Sequence, residues 1–290
     1  MRILVTGAAG LLGSHLVPYL RRCGHDVIAL ARNGEVQVHA DLVDFANTSA
    51  ILARLSPEAI VNLAGMTNVD DCERDPQAAF RSNVRIVESL ALGIRQSGIG
   101  SHLIQISTDH VYDGVSLRAE QDVTLRNVYA FSKYAGELAA ATVPSTVLRT
   151  NFFGPSACAH RESLSDWLVR ALHTQTEITV FDDVSFSPLS LESLSGHIER
   201  AARERHMGIF NLGSREGMSK ADFAFALAKA LGLATGGMRR GVSTARPGAV
   251  RRPTGMCMDS SRFERVFRVG LPTLTEEIQS MRAAYAHHCG

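Results

Sequence analysis

The residues best able to do chemistry are Tyr129 and Lys133, in the run Tyr129-Ala130-Phe131-Ser132-Lys133. Residues four apart on a helix share a face, so a phenol and an ammonium at this spacing can meet the same ligand. A nearby cation favours phenolate and is expected to lower the tyrosine pKa. That suits a group that must exchange a proton near neutral pH. Lysine occurs only at positions 133, 220 and 229, with arginine as the default cation, so the pairing is unusual for this chain. Thr108 closes the apolar run His102–Ser107. At a strand end its hydroxyl can hydrogen-bond a carbonyl oxygen.

A second constellation lies near the start. Thr6-Gly7-Ala8-Ala9-Gly10-Leu11-Leu12-Gly13 follows the apolar run Arg2–Thr6 and precedes an expected helix. Glycines at such a turn let the backbone approach a pyrophosphate, whose charge then sits at the helix N-terminus. Gly7, Gly10, Leu11, Leu12 and Gly13 are therefore candidate contacts for a dinucleotide. Arg32 stands at the end of the second expected strand, where NAD-preferring sites carry a carboxylate. Its guanidinium matches a 2′-phosphate, which points to NADPH over NADH, although a solvated arginine is the competing reading. Asp41 and Leu42, after the next apolar segment, are placed to meet the adenine.

The elements needed to hold these groups follow from the apolar pattern. Strands are expected at His25–Leu30, Ala59–Ala64 and His102–Ser107, and helices at Leu11–Arg22 and Pro76–Gln96. Pro18 should kink the first helix or shift its start. Strand and helix alternate through Arg149, the signature of a parallel sheet covered on both faces. We therefore expect a Rossmann-type doubly wound α/β domain over residues 1–154. Residues 155–290 read as a smaller α/β substrate-binding subdomain, part of it returning to the sheet. Helices are expected there at 163–172, 191–202 and 220–231, strands at 178–181 and 209–212, and loop at 234–255.

Composition narrows the function. Thirty Lys and Arg against 29 Asp and Glu leave a net charge of +1 in 290 residues. Such a chain carries no bulk signature of nucleic-acid or anionic-membrane binding. Five cysteines, an odd number with no CxxC, suggest neither a disulfide framework nor a zinc site. The histidines show no HExxH spacing, so no metal is expected. Ile3–Leu20 lacks acidic and basic residues other than His15, yet it holds Thr6, Ser14, Pro18 and three glycines. It is a poor membrane span and a poor signal peptide. The expectation is a cytoplasmic protein.

These residues resemble the extended short-chain dehydrogenase/reductases, and within them the dTDP-4-dehydrorhamnose reductase group. The resemblance runs from Met1 to about Leu274. It rests on Ile3–Gly13, on Val61–Asp70 with Cys72–Pro76, on Ile106-Ser107-Thr108-Asp109-His110-Val111-Tyr112-Asp113-Gly114, on Asn127–Glu137 and on Leu148-Arg149-Thr150. It implies NAD(P)H-dependent reduction of the C4 keto group of a nucleotide-linked 4-keto-6-deoxy sugar, with Thr108, Tyr129 and Lys133 as the catalytic set. It also implies Leu63, Ala64 and Gly65 beside the cofactor and Asn83 as a buttress, with Thr67, Thr108, Asp109, His110 and Tyr129 near the sugar. The chain departs from the pattern at His110, where the group commonly has Tyr, at Asn151-Phe152, and at Ala130.

The sugar is expected between the carboxyl ends of the strands and the C-terminal subdomain. Asn151 and Phe152 should lie at its wall, and Arg246, with Arg251 and Arg252, could meet the diphosphate. A homodimer is possible. Two other readings remain open: an epimerase or dehydratase on the same scaffold, and a non-catalytic NADP-binding regulatory subunit. The dehydratases of the group have an acidic residue at the place of His110, which counts against that reading.

Overall fold

A computed structural model of the chain describes residues 1–158, 161–243 and 249–286. Strands β1 (Arg2–Thr6), β2 (Asp26–Ala31), β3 (Val38–His39), β4 (Ala59–Asn62), β5 (His102–Ile106), β6 (Ser145–Thr150) and β7 (Gly208–Leu212) form one sheet. Their order is β7-β6-β5-β4-β1-β2-β3 and every pairing is parallel. The order reverses between β1 and β4, the place where such sheets open a ligand crevice.

Both faces are covered, as the near-continuous apolar strands require. Alternate side chains along each strand point to opposite faces. Ile3 and Val5 meet helices α1 (Leu11–Arg22) and a later helix, Leu191–Glu204, through Leu12, Leu16, Leu20, Leu194 and Ile198. Leu4, Ile60, Leu103 and Val147 meet α2 (Phe45–Leu55) and α3 (Ile86–Ser97) through Leu52, Val87, Leu90 and Ile94. Helix α4 (Val128–Ala140) lies on this second side.

The chain after β6 builds a second core from Phe153, Leu168, Phe186, Phe223, Leu227 and Ile278. Its helices include Leu164–His173, Lys220–Leu231 and Leu274–Ala286. Part of the expected loop 234–255 is instead a strand, Met238–Gly241, paired in parallel with Ile178–Phe181. Four residues ending in glycine carry too short a pattern to read by periodicity, and the pairing supplies what the pattern lacks.

Two further departures concern helices. The expected single helix at 76–96 is divided into Pro76–Phe80, a π-helical turn Arg81–Arg85, and α3. Helix α1 runs unbroken past Pro18 from the expected start. The proline ring is on the exposed side, so the helix loses one backbone donor and keeps its apolar face. Among the described residues no helix is long and apolar enough to cross a membrane. Nor does any group of three or more His, Cys, Asp or Glu there have the arrangement to hold a metal ion.

Candidate active site

The turn after β1 is shaped by backbone contact. Gly7 has φ +64°, and a Cβ there would stand 2.8 Å from the Ala64 nitrogen. A Cβ on Gly13 would stand 2.5 Å from the Ala8 carbonyl oxygen. Only glycine lets β1, the turn and the loop after β4 pack this closely. Gly10 caps α1 without a side-chain hydrogen bond, and the first turn holds no acidic residue. The free N–H groups at this end therefore suit an anion.

Beneath the turn, three adjacent strands carry a buried polar chain. Thr6 pairs in register with Asn62, and Asn62 with Gln105. The Thr6 hydroxyl donates to Asn62 Oδ1 at 2.5 Å, and Asn62 Nδ2 donates to Gln105 Oε1 at 2.7 Å. The Ala64 N–H reaches Thr6 Oγ1 at 3.3 Å. These bonds fix the loop Leu63-Ala64-Gly65 against the strand ends.

The π-helical turn presents Asn83 to the same loop. Its side chain accepts from the Met66 N–H at 2.8 Å and donates to the Met66 carbonyl at 3.0 Å and to Ser132 Oγ at 2.9 Å. The Ser132 hydroxyl donates to the Tyr129 carbonyl at 2.9 Å. Asn83 thus stands behind the site wall and ties it to α4.

Helix α4 begins at an Asn127 cap, whose side chain accepts from the Ala130 N–H. It turns Tyr129 and Lys133 inward, both 8% exposed. Lys133 Nζ donates to the Ile106 carbonyl at 2.7 Å. Burial lowers its pKa to about 8, against opposing pulls from Glu137 and Cys72. For Tyr129 the expectation of a lowered pKa is overturned. Burial holds it well above the ordinary phenol value, and a hydrogen bond with Thr108 offsets this only in part. The lysine is committed to a carbonyl, and removal from water disfavours the phenolate. The phenol is therefore protonated at neutral pH.

Thr108 begins a 3₁₀ turn, Asp109–Val111, and its Oγ1 accepts from the His110 N–H at 3.1 Å. Asp109 is 1% exposed and accepts from Asn151 Nδ2 at 2.6 Å. Burial raises its pKa, with His110, Asn151 and Lys220 pulling the other way. The His110 ring meets the Tyr129 ring edge-on at 5.5 Å, and burial keeps the imidazole neutral by lowering its pKa.

These elements enclose one cleft of about 1240 Å³. Gly7, Gly10, Leu11, Leu12, Gly13, Arg32, Leu42, Leu63, Ala64 and Gly65 line one part of it. Thr67, Thr108, Asp109, His110, Tyr129, Lys133, Asn151 and Phe152 line the rest. Arg32 is exposed, with no hydrogen bond or ion pair among the described residues. The cradle of glycines and the open helix end fit a dinucleotide. Asp41 is not part of the lining; its carboxylate accepts from the Val43 N–H in its own turn. Arg246 lies outside the described residues. Arg251 and Arg252 do not line the cleft, and Arg252 is ion-paired with Asp70 at 2.6 Å.

Among the lining residues that sequence reasoning missed are Met66 and Ser107, whose place in the cleft spacing does not reveal. Arg161 also lines it, donating to Thr67 Oγ1 at 3.3 Å. It stands in an irregular segment with no periodic pattern, and only its charge could have drawn attention.

The profile of the RmlD substrate binding domain family matches residues 1–287. The dTDP-4-dehydrorhamnose reductase of Streptomyces griseus is 29% identical over all of this chain and 94% of its own length. A dTDP-4-keto-6-deoxy-D-glucose reductase of Streptomyces niveus is 32% identical over 87% of this chain and 86% of its own. The fold is shared with the crystal structure of a dTDP-4-dehydrorhamnose reductase from Bacillus anthracis in complex with NADP. That match has a TM-score of 0.86 and 21% identity, over 97% of this chain and 96% of the other.

Proposed function

The chain belongs to the RmlD substrate binding domain family, and from that premise we propose that it reduces the C4 carbonyl of a nucleotide-linked 4-keto-6-deoxy sugar. The observation that carries this reading is the convergence of Thr108, Tyr129 and Lys133 on the cleft that also holds the glycine turn. Curated relatives covering most of the chain are named as reductases of dTDP-linked sugars of this kind.

A bound nicotinamide dinucleotide supplies the hydride. The N-terminus of α1 and the turn Gly7–Gly13 hold its pyrophosphate. Arg32 favours NADPH by pairing with a 2′-phosphate. Lys133 braces the nicotinamide ribose while its second contact, the Ile106 carbonyl, fixes its direction. Tyr129 gives its hydroxyl proton to the sugar O4 as charge develops there, and the Thr108 hydroxyl hydrogen-bonds the same oxygen. A phenol kept protonated by burial is the correct state for a donor. Asp109, His110, Asn151 and Phe152 form the sugar side, and Asn83 and Ser132 keep α4 in register with the loop after β4.

The test is incubation of the purified protein with NADPH and a panel of dTDP-, GDP- and CDP-linked 4-keto-6-deoxy sugars, followed by loss of nicotinamide absorbance. Turnover of at least one is expected. No turnover of any, with NAD⁺ held tightly through purification, would favour an epimerase or dehydratase instead.

A further inference from the structure

Glu137 stands one helical turn beyond Lys133 on α4 and is fully buried. Arg149 on β6, 1% exposed, grips it through Nε and Nη2 at 2.6–3.1 Å. The Ser107 hydroxyl donates to Glu137 Oε1 at 2.5 Å. Arg149 Nη1 also reaches the Tyr112 hydroxyl at 2.7 Å and the Glu120 carbonyl at 2.6 Å. One carboxylate therefore joins the helix of Tyr129 and Lys133, the residue before Thr108, and the strand that leads to Asn151.

A buried ion pair is a poor device for stability alone, because well-packed apolar residues of the same volume serve as well or better. This pair sits beside a lysine whose burial works to strip its proton. Around Lys133 stand Glu137 from α4, Cys72 from Val69–Arg74 and the Ile106 carbonyl from β5, and Lys133 Nζ and Asn83 Oδ1 both approach Gly65. Burial pushes the Cys72 thiol up to about 11, so it is neutral near pH 8. The Tyr129 phenol is neutral there as well, which leaves Glu137 as the anion of the group.

We propose that Glu137 is a positioning residue: held by Arg149 and Ser107, it fixes α4 against the strand end that carries Thr108 and keeps the Lys133 side chain charged. The inference rests on the assignment of Lys133 to the cofactor made above.

NADPH affinity, read from its fluorescence between about pH 6 and about 9.5, tests the charge directly. Wild type should lose affinity as pH rises through about 8. Without the carboxylate, Lys133 gives up its proton more easily. In Glu137→Gln the fall should therefore begin roughly one pH unit lower, with binding about fivefold weaker near pH 8 and close to wild type near pH 6. An equal loss at every pH would mean a structural role only and overturns the proposal. Because a lone buried guanidinium opposes folding, Glu137→Gln with Arg149→Met is measured too, with the same profile expected. Ser107→Ala keeps the anion and loosens the strand contact, so it should weaken NADPH binding severalfold without moving the alkaline fall. If neither Gln variant folds, the serine variant decides, and an unchanged NADPH affinity overturns the proposal. The binding profile needs no keto sugar, so a failed substrate panel and a failed Glu137 prediction are separate results.

Discussion

Lys133 gives a hydrogen bond to the Ile106 carbonyl at 2.7 Å, so the cation of the Tyr–Lys pair is anchored to the strand end rather than spent on the phenol. The pair is therefore a division of labour. In the proposed reaction the ammonium, half held by β5, would orient a ribose, and the phenol, kept neutral by burial, would hold a proton for the developing oxyanion.

Tyr129→Phe removes the proton and leaves the ring that packs against His110 and Val69. Turnover should fall on the order of 10²–10⁴-fold. NADPH affinity and Tm should stay near wild type. A kcat within a few-fold of wild type would remove Tyr129 from the chemistry.

Arg32 is exposed at the cleft with its guanidinium unclaimed among the described residues. Arg32→Asp replaces a partner for a 2′-phosphate with a group that repels it and suits a 2′-hydroxyl. The ratio of kcat/KM for NADPH to that for NADH should fall at least tenfold. If the ratio does not move, the arginine is a solvated surface residue.

The parts of the site that were legible are local. The glycines of 7–13 and the Tyr129–Lys133 spacing each lie within one turn or two of helix, so sequence distance is nearly spatial distance. The π-helical turn was not legible: one extra residue shifts Asn83 toward Met66, and the apolar pattern of 76–96 reads through it as one helix. The tyrosine pKa was not legible because spacing reports a neighbour and not the dielectric around it. Nor was the turn at Asp41 legible, where the carboxylate accepts from the Val43 N–H, because composition does not encode that geometry.

Arg161 is a cation that the segment before Leu164–His173 carries into the cleft, where it meets Thr67. Arg252, by contrast, is already held by Asp70. Arg161→Ala should raise KM for the sugar nucleotide roughly tenfold, as loss of a charge-assisted contact to phosphate implies. Arg252→Ala should raise it less. If the two are equal, or if only the cofactor KM responds to Arg161→Ala, the diphosphate lies elsewhere.

His102 on β5 is buried, with its Nε2 2.7 Å from Thr146 Oγ1, and that hydroxyl donates to the His206 carbonyl. The hydroxyl therefore accepts from an Nε2–H. Burial lowers the histidine pKa from 6.5 to about 4. The unfolded chain takes up this proton below pH 6.5 and the native fold does not until about 4. Stability from this group is thus complete above pH 6.5 and declines as pH falls toward 4, by on the order of 3 kcal/mol. Tm measured from pH about 7 to about 4.5 should fall less steeply in His102→Gln than in wild type. Parallel curves would show that the proton uptake occurs elsewhere.

Gly13 sets two opposing effects on one residue. It lies inside α1, where alanine is favoured over glycine by about 1 kcal/mol of helix propensity. Propensity alone predicts that Gly13→Ala is stabilising. The added Cβ, however, would sit 2.5 Å from the Ala8 carbonyl oxygen and 2.6 Å from the Ala8 Cα. These are backbone atoms of the turn, and Leu16 and Val17 behind them are packed in the sheet core. The helix cannot retreat without opening that core, so the turn must move instead and carry its N–H groups away from the pyrophosphate position. The clash should outweigh the propensity gain, because overpacking a tight site costs about 1–3 kcal/mol. Gly13→Ala should therefore lower Tm and weaken NADPH binding at least tenfold, while a protein that gained stability and kept its affinity would show that the turn is not the cofactor cradle.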